Sequence, residues 1–72
     1  MTHEPVESSA IKSIGYDEEK KTFEVRIQDT DELYQYYNVP REEYFAFISQ
    51  PSKGTYYNKV FKTRYPDYKR LS

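Results

Sequence analysis

Residues Thr22 to Gln28 read TFEVRIQ, and this alternation constrains the chain more than any other stretch. Phe23, Val25 and Ile27 fall on one side and Thr22, Glu24, Arg26 and Gln28 on the other, the period-two pattern of a strand with one face covered and one face wet. A strand needs partners along its edges and a layer over its apolar face. The flanking segments supply partners. SSAIKSIGYD places Ile14 and Tyr16 on one strand face with Ile11 out of step, which implies an irregularity near its start. After the charged turn DEEKK comes TFEVRIQ, then the turn DTDE, then LYQYYNV, rich in residues that favour pleated surfaces. Links this short join neighbouring antiparallel strands.

Beyond Val39 the period changes. Pro40 suits the first turn of a helix, Asn38 can cap it, and Glu42 and Glu43 sit near the positive end of its dipole. Tyr44, Phe47 and Ile48 make an apolar stripe, flanked by Phe45. A second helix is expected from about Thr55 to Tyr65, carried by Tyr57, Val60, Phe61 and Tyr65 and stopped by Pro66. The fold class that follows is α+β: a three-stranded antiparallel meander with two helices packed on one face, in the order βββαα. Residues 1–7 are expected to be a loose, flexible lead-in, and 8–72 a single domain. DYKRLS folds back through Tyr68 and Leu71 or frays.

A chain of 72 residues buries only about 60% of the surface its unfolded form exposes, so the core must be economical. Val, Leu, Ile and Phe number 14, and the nine tyrosines must therefore help to build the interior. Cysteine is absent, which removes disulfides and thiolate metal sites and suits a reducing cytoplasm. No window is apolar enough for a membrane span, and MTHEPVESSA has no export-signal core. With only Gly15 and Gly54, phosphate-binding glycine loops are excluded. The one histidine, His3, falls in the expected lead-in, which argues against a metal site and against Ser/His nucleophilic catalysis. The carboxylates Asp17, Glu18, Glu19, Asp29, Asp31 and Glu32 all fall in turns, the ordinary place for solvated charge. Neither a cofactor nor enzymatic activity is expected.

The net charge of −1 hides a polarity along the chain. Residues 1–50 hold eleven acidic against five basic side chains; residues 51–72 hold Asp67 against Lys53, Lys59, Lys62, Arg64, Lys69 and Arg70. PSKGTYYNKVFKTRY interleaves rings with cations, the combination that holds single-stranded nucleic acid by base stacking and phosphate contact. The expected contacts are Lys53, Lys59, Lys62 and Arg64, with Tyr34, Tyr36 and Tyr56 as stacking rings. The alternative is a protein-interaction module using the exposed face or edge of its small sheet.

Taken in order, IGYD, YQYYNVP and PSKGTYYN…RYP resemble the KTSC domain, a small module named for the C-terminus of some lysyl-tRNA synthetases and also found free-standing in bacteria. Its central Y-x-Y falls on Tyr34, Gln35 and Tyr36. Its S-x-G-x-Y-[FY]-N pattern falls on residues 52–58. The resemblance implies no established activity, and RNA binding is an expectation from the synthetase context. The motif residues Ser52, Gly54, Tyr57 and Asn58 are read as structural: Gly54 for a backbone turn, Ser52 or Thr55 for a helix cap, Asn58 to tie a loop. Strand alternation puts Tyr34 and Tyr36 on one face and Leu33, Tyr37 and Val39 on the other. The apolar Leu33 and Val39 favour an exposed Y-x-Y pair, whereas a bend before Pro40 would bring Val39 inward with either set.

Overall fold

The structure, a computed structural model, describes residues 1–72. The expected hairpins form: β2 (Ile11–Asp17), β3 (Thr22–Ile27) and β4 (Leu33–Tyr36) pair antiparallel in sequence order. The anticipated irregularity is a register shift between Ile11 and Ser13, which lets Ile11 and Ile14 both reach the core. The turns use side chains suited to them. Asp17 Oδ1 accepts from the N–H groups of Glu19 and Lys20, and Asp31 adopts a left-handed φ of 60°.

Three strands were too few. His3–Pro5 forms β1 on the outer edge of β2, and Tyr68–Arg70 forms β5 on the outer edge of β4, so the sheet has five antiparallel strands in the order β1-β2-β3-β4-β5. Residues expected as a loose lead-in therefore hold an edge of the sheet. Both additions are three residues long, too short to show periodicity, and an edge strand tolerates Pro5. The C-terminal end folds back: Leu71 N–H donates to Leu33 O at 2.8 Å and Leu33 N–H to Ser72 O at 3.2 Å.

The helices are α1 (Arg41–Ile48) and a run from 53 to 64, here α2. Within α2, Lys53–Tyr56 and Lys62–Arg64 are α-helical and Tyr57–Phe61 is π-helical, with Lys62 N–H reaching back five residues to Tyr57 O. Ser52 is the cap, its Oγ accepting from Thr55 N–H. At α1 the expectation fails in detail. Pro40 occupies the cap position with no side-chain bond, and Asn38 adopts a left-handed φ of 59° instead of capping. That bend turns Val39 into the core, where its carbonyl accepts from Tyr16 OH at 2.6 Å.

Phe23 centres the interior, its ring 5.0 Å from Phe47 and 4.9 Å from Phe61. The covered stripe of α1 runs through Glu43 and Phe47, leaving Phe45 and Ile48 exposed; the expected burial of Ile48 is thus corrected. In register, Tyr36 lies opposite Phe23 and Tyr34 opposite Val25. Directly opposed residues share a face, so the Y-x-Y pair points to the core side of the sheet.

Candidate functional site

Where β4, β5 and α2 meet, a cleft of about 280 Å³ is lined by Tyr34, Tyr36, Tyr57, Asn58, Lys62 and Tyr68. Ile27 and Glu32 complete it. Local structure positions each ring. Tyr36 is only 2% exposed and its hydroxyl lies 2.7 Å from that of Tyr57. Burial raises both phenols above their ordinary pKa, reinforced at Tyr57 by the bond to Tyr36, so the pair is neutral at physiological pH. Tyr34 meets the exposed Tyr68 edge-on at 5.7 Å and donates to Glu32 Oε1 at 3.3 Å. Glu32 also accepts from Arg70 at 3.0 Å, which fastens β5 beside the cleft. The wide π-turn brings Lys62 back over Tyr57, with Nζ 5.6 Å from the ring centroid. Short π-helical segments inside α-helices recur at functional sites.

The structure divides the residues expected to form one basic, aromatic surface. Tyr34 and Lys62 border the cleft. Tyr36 does too, but as its buried base, so it is withdrawn as a stacking ring. Lys53 and Lys59 line a separate polar depression of about 500 Å³ beside the residue 7–10 segment, and Lys53 Nζ already donates to Gln50 O at 3.0 Å. Arg64 and Tyr56 lie in neither place. They converge on Glu43, whose side chain is 3% exposed: Tyr56 OH donates to Oε2 at 2.6 Å, Arg64 Nη1 to Oε1 at 2.7 Å and Tyr65 OH to Oε1 at 3.2 Å. Burial, then the Glu43 charge, pushes the Tyr65 phenol up to about 12. Arg64 and Tyr56 are therefore clamps between α1 and α2 and are removed from the ligand-facing set.

The motif residues 52–58 separate in the same way. Gly54 has no positive φ, so the expected turn role is corrected: a Cβ there would stand 2.9 Å from Ala10 Cβ and 3.1 Å from Ser8 Oγ, so glycine lets the residue 7–10 segment lie against α2. Tyr57 is core and cleft base at once. Asn58 was expected to tie a loop, yet it is exposed, makes no side-chain hydrogen bond within the chain, and borders both cleft and depression.

His3 also needs correction. It lies in β1 with Nδ1 2.9 Å from Ser13 Oγ and Nε2 2.8 Å from Glu24 Oε1. A carboxylate only accepts, so in the neutral ring Nε2 carries the proton and Nδ1 accepts from Ser13. Gln35 Nε2 donates to Glu24 Oε2 at 2.7 Å, and Tyr37 OH to Gln35 Oε1 at 2.8 Å, extending the row across four strands on the face away from the helices. Gly15 makes room for it, since a Cβ there would approach His3 Cδ2 to 2.8 Å. His3 is thus held in the sheet and is no part of a loose lead-in. Ser13 sits on an inner strand, paired with Pro5 of β1 on one side and Arg26 of β3 on the other.

No helix is long and apolar enough to cross a membrane, and no group of three or more His, Cys, Asp or Glu side chains is placed to hold a metal.

The KTSC domain family model matches residues 7–65. The chain belongs to the KTSC domain family. An uncharacterized protein of Stutzerimonas stutzeri is 35% identical over 71 residues, covering 99% of each chain. A protein of Tsukamurella paurometabola is 36% identical over 62 residues, covering 86% of this chain and 91% of its own. The crystal structure of a KTSC domain protein from Yersinia pestis superposes with a TM-score of 0.90 at 32% identity, covering 99% of this chain and 97% of the other. In this KTSC chain the Y-x-Y tyrosines and the Tyr57–Asn58 pair, some twenty residues apart, line one cleft.

Proposed function

We propose that this protein is a non-catalytic binding module for single-stranded nucleic acid, RNA first, and that a base enters the tyrosine cleft. The observation that carries the reading is the convergence on one cleft of four tyrosines, a lysine amine and an unbonded Asn58 amide. Tyr68, 55% exposed, is the most accessible of the four rings to a stacking base. Lys62, its amine over the Tyr57 ring, supplies a cation at the cleft itself. The volume lies near the lower end of small-ligand pockets and suits one ring system better than a large ligand.

The alternative of protein docking through the open face or edge of the sheet finds less support. The face away from the helices carries side chains already bonded to one another, and the outermost strands are three residues each, bearing Pro5 at one edge and Lys69 and Arg70 at the other.

The test is an NMR titration of the whole chain with short oligoribonucleotides and their deoxy counterparts at low and physiological salt. Shifts concentrated at Tyr34, Asn58, Lys62 and Tyr68 are expected. No shifts at these residues even at low salt overturn the reading.

A further inference from the structure

The polar depression beside the tyrosine cleft takes no part in base binding as described. It is the larger of the two hollows, about 500 Å³, and Ala10 is its one hydrophobic lining residue. Its walls carry the Ser9 hydroxyl and the Lys53 and Lys59 amines, with Glu7 as the one carboxylate. It exists because Gly54 lacks a side chain: the 7–10 segment approaches α2 to within Cβ contact of Ala10 and forms one bank of the hollow. Lys59 is exposed and, unlike Lys53, has no hydrogen-bond or ion-pair partner in the chain. Asn58 is the wall common to both hollows, with an unengaged amide.

From this juxtaposition we infer that the depression is the phosphate subsite of the cleft: a nucleotide whose base lies among the tyrosines passes Asn58 and sets its phosphate against Lys59. The inference rests on the base-binding reading of the cleft and adds the direction in which the backbone leaves it. The chemistry matches the lining. A phosphodiester is acceptor-only and anionic, and it is met by an ammonium, a hydroxyl and an amide N–H, each able to donate. Glu7 would repel an anion brought too close, which favours a phosphate held on the α2 side, by Asn58 and Lys59. The arrangement also accounts for the division of the basic residues: Lys62 faces the base site, Lys59 the phosphate site, and Arg64 is occupied by Glu43.

Calorimetric titration with adenosine, 3′-AMP, 5′-AMP and inorganic phosphate, on the wild type and on Lys59→Ala and Asn58→Ala, tests this. Both side chains are exposed, so the variants keep the fold, which the amide spectrum verifies. One of the two nucleotides should bind roughly tenfold more tightly than adenosine, the yield of one charge-assisted contact. Lys59→Ala should abolish that gain while leaving adenosine binding unchanged. With tetranucleotides, Lys59→Ala should lower the slope of log K against log salt by about 0.7, the decrement for one phosphate no longer neutralised on a single strand. Ribo- and deoxyribo-tetramers that show the same Lys59-dependent gain place the interaction on phosphate; a gain confined to the ribose form and kept by both variants overturns the subsite. Adenosine and both nucleotides binding equally would sink the phosphate subsite and leave the base cleft standing. No binding by any of them removes both.

Discussion

Replacing Glu43 by alanine tests how the two helices are joined. The carboxylate is 3% exposed and accepts from Tyr56, Arg64 and Tyr65, so its removal leaves two phenols and a guanidinium without their acceptor. Arg64 is more than half exposed and regains water, so the ion pair itself adds little to the cost. The short 2.6 Å bond from Tyr56 is charge-assisted, worth about 1.5 to 3 kcal/mol, and the 3.2 Å bond from Tyr65 is weaker. Loss of the buried side-chain stem adds about 0.8 kcal/mol per methylene. Glu43→Ala should therefore destabilise by about 3 kcal/mol, a large share of the few kcal/mol that a single small core supplies. The midpoint of thermal unfolding would fall by roughly 12 to 24 °C, at 4 to 8 °C per kcal/mol for a domain this size. Urea denaturation followed by circular dichroism measures it, and a double-mutant cycle with Tyr56→Phe should return a coupling of about 1 kcal/mol or more. Glu43→Gln, which keeps the volume and one acceptor, should cost about half as much. If Glu43→Ala stays within about 0.5 kcal/mol of wild type, the range of an ordinary surface change, the clamp is not a stabilising element.

The protein should lose stability as pH rises from about 10 to about 12. Tyr65 is held up to about 12 and Tyr16, Tyr34, Tyr36, Tyr56 and Tyr57 are also raised, so the unfolded chain releases protons in that window while the folded chain retains them. Tyrosinate absorbance from these rings should rise together with the loss of circular dichroism; ionisation completed near pH 10 with the fold intact would contradict the burial. Tyr36→Phe should cost about 1 to 3 kcal/mol, because it strands the buried Tyr57 hydroxyl. The Tyr36→Phe/Tyr57→Phe double variant should recover most of that in urea melts, and a double variant worse than the single one would refute the pairing. Gly54→Ala gains up to about 1 kcal/mol of helix propensity but drives a Cβ to 2.9 Å from Ala10 Cβ. Net destabilisation is expected, and a stabilised variant would show that the 7–10 segment yields.

Local pattern carried the fold as far as local pattern reaches. The alternation of Phe23, Val25 and Ile27 and the short turns around it fixed a meander, and the change of period after Val39 fixed two helices to cover it. The edge strands β1 and β5 were not legible, because three residues carry no period and are held by what lies beside them. The burial of Glu43 was not legible for a similar reason. Its place in the first turn of α1 accounts for an acid near the helix dipole, and only the approach of Tyr56, Arg64 and Tyr65 from α2 makes it the buried centre of a clamp. His3, set aside as part of a lead-in, is held by Ser13 and Glu24 from two further strands.

The candidate site shows the same division. Composition alone dictated that tyrosines must build part of the core, since 14 Val, Leu, Ile and Phe residues are too few, and the strand period alone dictated that Tyr34 and Tyr36 share a face. Which face was a tertiary matter. It was decided by Tyr57, whose hydroxyl meets that of Tyr36 across the interior, while the left-handed bend at Asn38 let Val39 turn inward beside the Y-x-Y pair. A strand's periodicity records only that its two faces differ. The side that is buried is set by where the rest of the chain packs, and here α2 packs over Tyr36, leaving beside it a cleft bordered by Asn58, Lys62 and Tyr68.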